Sequence, residues 1–132
     1  MKQEDKNLLL KDLCARLPYG IIIHLVEPNE DEELYCLNIP QEGLYTRSLE
    51  HNNVTTLSPI EDIKPYLRPM SSMTEEEKKD WRGKILMSPK IVFSDKMDAL
   101  YDFCNAHHLD YRGLIEKGLA IAVTEENNPY KE

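Results

Sequence analysis

Three side chains near the C-terminal third of the chain have the types and spacing of metal ligands. Cys104, His107 and His108 fall at positions i, i+3 and i+4, which lie on one side of a helix. Zinc accepts sulfur and imidazole nitrogen, but a structural zinc site needs four ligands, and Asp110 is the nearest candidate for the fourth. In the alternative interpretation Cys104 packs in the core and the histidines meet the negative end of the helix dipole. We favour this second interpretation, because the sequence holds no second Cys/His cluster, and we predict no metal.

Nucleophilic catalysis by a cysteine–histidine pair is a further candidate chemistry for the same residues. A lone thiol is more often buried than reactive, and no loop beside Cys104 is suited to stabilise an oxyanion. The sequence also lacks G-x-S-x-G, H-E-x-x-H and a glycine-rich phosphate loop. These observations favour binding over catalysis and predict no cofactor and no catalytic residue.

Two tyrosine–arginine pairs are the strongest candidates for a binding surface. They are Tyr66 with Arg68, and Tyr111 with Arg112. Tyrosine and arginine dominate the hot spots of protein interfaces, since each joins apolar area to polar reach. The alternative is structural, in which tyrosine hydroxyls bond to backbone and the arginines cap free carbonyl groups. A third interpretation joins Arg68, Arg112 and His107 in one pocket that holds a phosphorylated small molecule.

An acidic run at residues 27–33 carries five carboxylates in seven positions. Carboxylate oxygens bind hard cations such as calcium, but the alternating acidic loop of an EF-hand is missing here. A solvated hairpin tip is the favoured interpretation, and mimicry of nucleic-acid charge is the functional alternative. The sequence leaves that alternative open.

Composition limits the partners and the compartment. The 132 residues carry 24 acids against 16 bases, a net charge of −8, which disfavours nucleic acid and anionic membranes as partners. No stretch approaches the ~18 apolar residues of a membrane span, and the chain shows no export signal. Three widely spaced cysteines are typical of a cytoplasmic protein with reduced thiols. A protein is therefore the expected partner.

The elements that must position these residues follow from periodicity. Residues 4–17 predict a helix with Leu10, Leu13, Cys14 and Leu17 on its apolar face, ended by Pro18. A strand at 21–26 should direct Ile21, Ile23 and Leu25 to the core. Further strands are expected at 34–39, 44–49 and 54–57, and together the four strands predict an antiparallel meander.

Helical signals dominate the second half. Capping boxes at 58–61 and 74–77 predict two helices, the first short and the second ending near Gly83. The runs 85–87 and 91–93 predict extended structure, a last helix is expected at 95–108, and Ile121 and Val123 indicate a final strand. The order predicts a single α+β domain over residues 1–124, followed by a frayed polar C-terminal tail at 125–132.

Three longer blocks resemble a known group of proteins. They read LLLKDLCARLPYG at 8–20, IKPYLRPMSSMTEEE at 63–77 and DYRGLIEKGLA at 110–120. Together they resemble small uncharacterised proteins carried by prophages and mobile elements of gut Bacteroidetes. The resemblance implies a phage or mobile-element origin and a cytoplasmic setting, and it supplies no activity. Our leading hypothesis is therefore an accessory protein that binds a host or phage protein through Tyr66, Arg68, Tyr111 and Arg112.

Overall fold

Six strands and three α-helices make up the computed structural model, which describes residues 2–27, 29–38, 43–49, 55–86 and 93–130. The helices are α1 (Gln3–Arg16), α2 (Glu75–Leu86) and α3 (Phe93–Ala106). The strands are β1 (Ile22–Leu25), β2 (Glu30–Asn38), β3 (Gly43–Ser48), β4 (Thr55–Pro59), β5 (Ile63–Leu67) and β6 (Ile121–Ala122). Short 3-10 turns lie at Leu17–Tyr19, Ile60–Asp62 and Met70–Ser72.

The strands form one mixed sheet in the order β4-β3-β2-β1-β5-β6. Strands β1 to β4 pair with their sequence neighbours in antiparallel register, which confirms the predicted four-stranded meander. Strand β5 pairs antiparallel with β1 and parallel with β6. The chain is thus a single α+β domain, as its sequence predicts.

Helix α1 forms where it was expected but buries a different face. Leu9, Asp12, Leu13 and Arg16 are the buried positions, with i, i+3, i+4, i+7 spacing. The predicted face was wrong by one position, since Leu10 is 41% exposed and Cys14 is exposed. The error arose because two of the four buried side chains are charged. Gly20, at φ +69°, provides the left-handed residue that turns the chain into β1.

The main core lies between α1 and one face of the sheet. Ile21, Ile23 and Leu25 are all fully or almost fully buried, which confirms the predicted inward face of β1. The other buried members are Leu9, Leu13, Leu34, Leu44, Ile60, Ile63, Leu67, Leu114, Leu119 and Ala120. A second cluster of Phe103, Cys104 and Leu109 joins α3 to Trp81 of α2 and to Met70 and Met73.

Strand β5 lies where the sequence predicted a short helix and a proline-rich connection. The 58–61 box makes no side-chain cap, and its residues form the end of β4 and a single 3-10 turn. Pro65 is accommodated because it pairs with Ile23 at a non-hydrogen-bonded position. Val26 N–H donates to Asp62 O at 2.9 Å, so these two residues form a hydrogen-bonded pair of the ladder. Hydrogen-bonded and non-hydrogen-bonded pairs alternate from there, which puts Pro65 at a non-hydrogen-bonded position.

Helix α2 is longer than predicted. It continues through Gly83 to Leu86, so Ile85 is helical and the extended structure expected at 85–87 is wrong there. The predicted extended run at 91–93 lies outside the described residues apart from Phe93, which begins α3. Glycine costs a helix interior only about 1 kcal/mol, which the surrounding helix formers tolerate.

Most of the acidic run belongs to a strand and not to the hairpin tip. Residues from Glu30 onward form β2, and the described turn residues Val26, Glu27 and Asn29 precede it. Glu32 faces inward, is 5% exposed, and accepts a 2.7 Å hydrogen bond from the Thr46 hydroxyl. The prediction of a wholly solvated tip is therefore wrong for Glu32, since strand alternation turns every second residue inward.

Residues 125–130, assigned from sequence to a tail, run back to the sheet. Tyr130 packs against the main core. Its hydroxyl accepts a hydrogen bond from Ile22 N–H (3.1 Å) and donates one to Tyr66 O (2.8 Å). These two backbone groups are the next hydrogen-bonded pair of the β1–β5 ladder, so the tyrosine continues the ladder where the strands separate.

Candidate functional site

The two tyrosine–arginine blocks meet through their backbones. Arg68 and Leu109 form a parallel bridge beyond the end of β5. Arg68 N–H donates to His108 O at 2.7 Å, and Asp110 N–H donates to Arg68 O at 2.9 Å. The sequence singled out both blocks but gave no sign of this pairing, because it joins residues about 40 positions apart.

The Arg68 side chain binds a carboxylate within the protein. Its two terminal nitrogens donate to the two Glu77 oxygens at 2.8 and 2.7 Å, and one also donates to Ser72 O at 3.1 Å. His107 Nδ1 lies 3.0 Å from the same carboxylate. Hydrogen bonding from Arg68, against the opposing effect of burial, lowers the pKa of Glu77 to about 2.

Glu77 also completes the capping box predicted at 74–77. Thr74 N–H donates to Glu77 Oε1 at 2.9 Å, and Glu77 N–H donates to Thr74 Oγ1 at 3.1 Å. One carboxylate therefore caps α2 and binds both Arg68 and His107.

Tyr66 points to the opposite face of the sheet from the main core and is only 5% exposed. Its hydroxyl donates to Asp31 Oδ1 at 2.7 Å, and His24 Nδ1 lies 2.8 Å from that same oxygen. Burial, together with the hydrogen bond to Asp31, raises the pKa of Tyr66 to about 12. The ring is thus part of the fold and offers almost no area to a partner.

Tyr111 and Arg112 lie at a third place, against α1. Arg112 Nη1 lies 3.3 Å from Asp12 Oδ1, while the buried Arg16 donates from Nε to Asp12 Oδ2 at 2.7 Å. The guanidinium carbons of Arg112 and Arg16 lie 4.7 and 5.3 Å from the centre of the Tyr111 ring. Burial raises the pKa of Asp12, and the two arginines oppose that effect.

The four predicted binding residues therefore belong to three separate groups of contacts. Tyr66 is bonded to Asp31, Arg68 to Glu77, and Arg112 to Asp12. In the three-residue anion pocket that was the alternative, Arg68 and His107 do come together, but around Glu77.

The three candidate metal ligands also point to different partners. Cys104 is buried, and burial raises the pKa of its thiol to about 11. His107 contacts Glu77 and the Phe103 ring, whereas the His108 ring stacks on Tyr130 at 3.9 Å. Within the described ranges, no group of three or more histidine, cysteine or acidic side chains is arranged to hold a metal.

The side chain of Asp110, the candidate for a fourth ligand, is bound to backbone N–H groups. Its two carboxylate oxygens accept hydrogen bonds from the N–H groups of Leu114 and Ile115, each at 2.9 Å. These bonds fix the turn at 110–118, which carries much of the third sequence block.

His108 occupies a backbone conformation that usually selects glycine. Its φ is +59°, and it ends α3 as the left-handed residue of a Schellman motif. The two bonds of that motif are Leu109 N–H to Cys104 O, 2.8 Å, and His108 N–H to Asn105 O, 3.3 Å. Burial lowers the pKa of His108 to about 4, and the nearby charges of Arg16 and Arg68 act in the same direction.

A surface that the sequence reasoning missed lies on the side of the sheet away from α1. We call Tyr35, Tyr45, Arg47 and Leu57 the outer sheet face. Tyr45 pairs with Leu57, and Arg47 lies over the ring of Tyr35, 5.0 Å from its centre. A register shift between Leu34 and Cys36 marks Tyr35 as the bulged residue of β2. The alternation of inward and outward residues along β3 and β4 is the sequence signal that could have located this face. The bulge interrupts that alternation in β2.

No protein-family model, curated protein or solved structure matches this chain. Among the described helices, none is long and apolar enough to cross a bilayer. The resemblance to mobile-element proteins therefore stays a prediction from the three sequence blocks.

Proposed function

We propose that the protein acts by binding another protein through its outer sheet face. The observation that carries the proposal is the exposure of Tyr35 and Leu57, 50% and 41%, beside an arginine on one sheet surface. Tyrosine and arginine are the residue types that contribute most at protein interfaces. Grouped exposed apolar side chains mark interaction sites more often than scattered ones do.

Two contacts order the Arg47 side chain of this surface before any partner binds. Arg47 Nη2 lies 3.4 Å from Glu33 Oε2, and its guanidinium carbon lies 5.0 Å from the Tyr35 ring centre. A side chain that is already ordered loses less entropy on binding, which favours affinity. The bulge at Tyr35 supports the same interpretation, because bulges commonly redirect a side chain at functional sites.

The charge of the chain indicates the chemistry of the partner. Glu30 and Asp31 are exposed on β2, the strand that carries Tyr35, and the whole chain has a net charge of −8. A partner surface with an apolar centre and lysine or arginine at its rim fits this arrangement. The implied mobile-element origin makes a host or phage protein the partner class.

The phosphorylated-ligand alternative receives less support. Arg68 and His107 already share Glu77, and Arg112 is already paired with the fully buried Asp12. A phosphate at either place would have to displace a carboxylate that is held by several hydrogen bonds.

A photo-crosslinking experiment tests the proposal. A photoreactive phenylalanine analogue replaces Leu57 in one variant and Leu10 of α1 in another, and each variant is irradiated in host cells. Leu10 is the matched control, since both leucines are 41% exposed and they lie on different elements. We expect one polypeptide to be crosslinked from position 57, none from position 10, and the adduct to be lost with Arg47→Ala.

Equal labelling from both positions would contradict the proposal. So would a purified protein that carries a phosphorylated small molecule in native mass spectrometry and forms no adduct from position 57.

A further inference from the structure

Four buried polar atoms without a hydrogen-bond partner lie where α1 meets the end of α3. They are Arg16 Nη1, Asn105 Oδ1, His108 Nδ1 and Tyr111 Oη, and none bonds to any described residue with good geometry. We call these four side chains the buried polar cluster. Arg16 is 0% and Asn105 4% exposed, while His108 and Tyr111 are half-buried residues whose named atoms are buried. An unsatisfied buried polar group costs about 1–3 kcal/mol, so native proteins supply a partner for nearly all of them.

Contacts made by the same residues bring the four side chains together at the junction of α1 and α3. Arg16 Nη2 donates to Leu109 O at 2.7 Å, and the Arg16 guanidinium carbon lies 5.3 Å from the Tyr111 ring centre. The Arg16 charge acts on the His108 ring, and the Asn105 side chain lies close enough to the Tyr111 hydroxyl to affect its pKa. The cluster therefore joins α1, the last turn of α3 and residues 109–111.

The chemistry of the four atoms defines what would satisfy them. Arg16 Nη1 only donates, Asn105 Oδ1 only accepts, and the Tyr111 hydroxyl does either. Neutral His108 accepts at Nδ1 when its proton is on Nε2. The missing partner must therefore both accept and donate hydrogen bonds.

Charge excludes an ion as that partner. Arg16 and Arg112 are balanced by Asp12, which contacts both, and by the nearby Asp110. An added anion would leave an uncompensated buried charge, and a cation would be repelled by Arg16. A neutral molecule with donor and acceptor capacity meets both requirements.

We propose that the buried polar cluster is an internal water site that ties the end of α1 to the 105–111 segment. A buried water typically makes about three hydrogen bonds to polar groups that have no other partner, and the cluster offers four. The site is independent of the outer sheet face and of the function proposed for it.

A crystal structure of the whole chain at atomic detail is the direct test. We expect an ordered water within about 3.2 Å of Arg16 Nη1. The same water should bond to at least one of Asn105 Oδ1, His108 Nδ1 and Tyr111 Oη. Direct pairing of Arg16 Nη1 with Asn105 Oδ1 or with His108 Nδ1, or density for an ion, would overturn the proposal.

Nuclear Overhauser transfer from water gives a second test in solution. The amides of Leu109 and Asp110 donate to Cys104 O and Arg68 O, so they exchange slowly and can report a water nearby. We expect a water signal at both amides and none at the buried amide of Leu13, which serves as the control. The signal should persist in Tyr111→Phe, which removes the exchanging hydroxyl, and disappear in Asn105→Leu.

Absence of the signal at Leu109 and Asp110 in the wild-type protein would overturn the water site. Its loss in Tyr111→Phe would do the same, since the tyrosine hydroxyl would then be the source of the magnetisation.

Discussion

Glu77 shows how much of this fold depends on a single carboxylate. It caps α2 through Thr74, binds Arg68 through both oxygens, and contacts His107 at the end of α3. Each contact is stronger when the carboxylate is charged, which explains the depressed pKa. The region between β5 and α3 is therefore sensitive to the protonation of this residue.

Replacement Glu77→Gln keeps the shape and the capping ability of the side chain and removes its charge. The folded pKa of about 2 lies below the unfolded value of 4.5, so the charge stabilises the fold above pH 4.5. That contribution is lost as pH falls from 4.5 toward 2. At neutral pH we expect the variant to lose about 2–3 kcal/mol of unfolding free energy, measured by urea denaturation, and the difference from wild type to narrow below pH 4.5.

Glu75→Gln is the matched control for that measurement. Glu75 lies in the same first turn of α2, but its side chain is 84% exposed and lies 3.4 Å from Lys78. We expect a change within about 0.5 kcal/mol. Equal losses from the two variants would show that the Arg68 contact adds no stability.

His108 gives a second pH dependence, over a different interval. Its folded pKa of about 4 lies below the unfolded 6.5, so the unfolded chain binds a proton that the folded chain does not. Stability should fall as pH decreases from 6.5 toward 4. His108→Asn keeps a residue type that tolerates positive φ and removes the titration. Thermal melts between pH 7 and 5 should show a smaller decrease in Tm for the variant, and equal slopes would contradict this account.

At the scale of elements, the β1–β5 pair has a backbone ladder that a side chain completes. The ladder position beyond the Ile23–Pro65 pair is occupied by the Tyr130 hydroxyl. A side chain from the last described residue thus joins Ile22 N–H to Tyr66 O through two hydrogen bonds, in place of the one backbone bond that would link them.

Tyr130→Phe should therefore destabilise the sheet between β1 and β5. The variant leaves Ile22 N–H and Tyr66 O without their partner, at a cost of about 1–3 kcal/mol. Hydrogen exchange of the Ile22 amide should accelerate relative to wild type. Tyr19→Phe is the control, because Tyr19 is 37% exposed, and it should leave stability and exchange unchanged. An unaltered Ile22 rate in Tyr130→Phe would show that the hydroxyl adds nothing to the ladder.

Local pattern was sufficient for the elements whose residues agree with it. The position of helix α1, strand β1 and the reciprocal bonds between Thr74 and Glu77 follow from periodicity and capping chemistry, although the buried face of α1 does not. Strand β5 does not, because its proline argues against a strand and only the pairing with β1 and β6 makes it one. Gly83 likewise suggested a helix end that the tertiary structure does not use.

At the scale of the whole molecule, the sequence located the two blocks but not what they do. Their meeting at Arg68 and Leu109 depends on a pairing that no local window contains. Buried charge was equally invisible, since Asp12 and Arg16 read as the polar side of α1 until Arg112 and Leu109 are placed against them. Apolar periodicity identifies only apolar faces. The core-facing side of α1 includes the Asp12–Arg16 ion pair, so periodicity does not find it.

The contacts that join α1 and β1 to the C-terminal part of the chain also govern the order of folding. The Arg16–Leu109, Asp12–Arg112 and Ile22–Tyr130 hydrogen bonds link residues 93, 100 and 108 positions apart. Closing such loops costs entropy before any contact compensates it, so they belong to the late part of folding. The meander of β1 to β4, built from neighbouring strands, can form earlier. The long-range polar contacts then form last. A chain that has not yet made them still exposes Ile22 N–H and Tyr66 O, the groups of β1 and β5 that the Tyr130 hydroxyl binds.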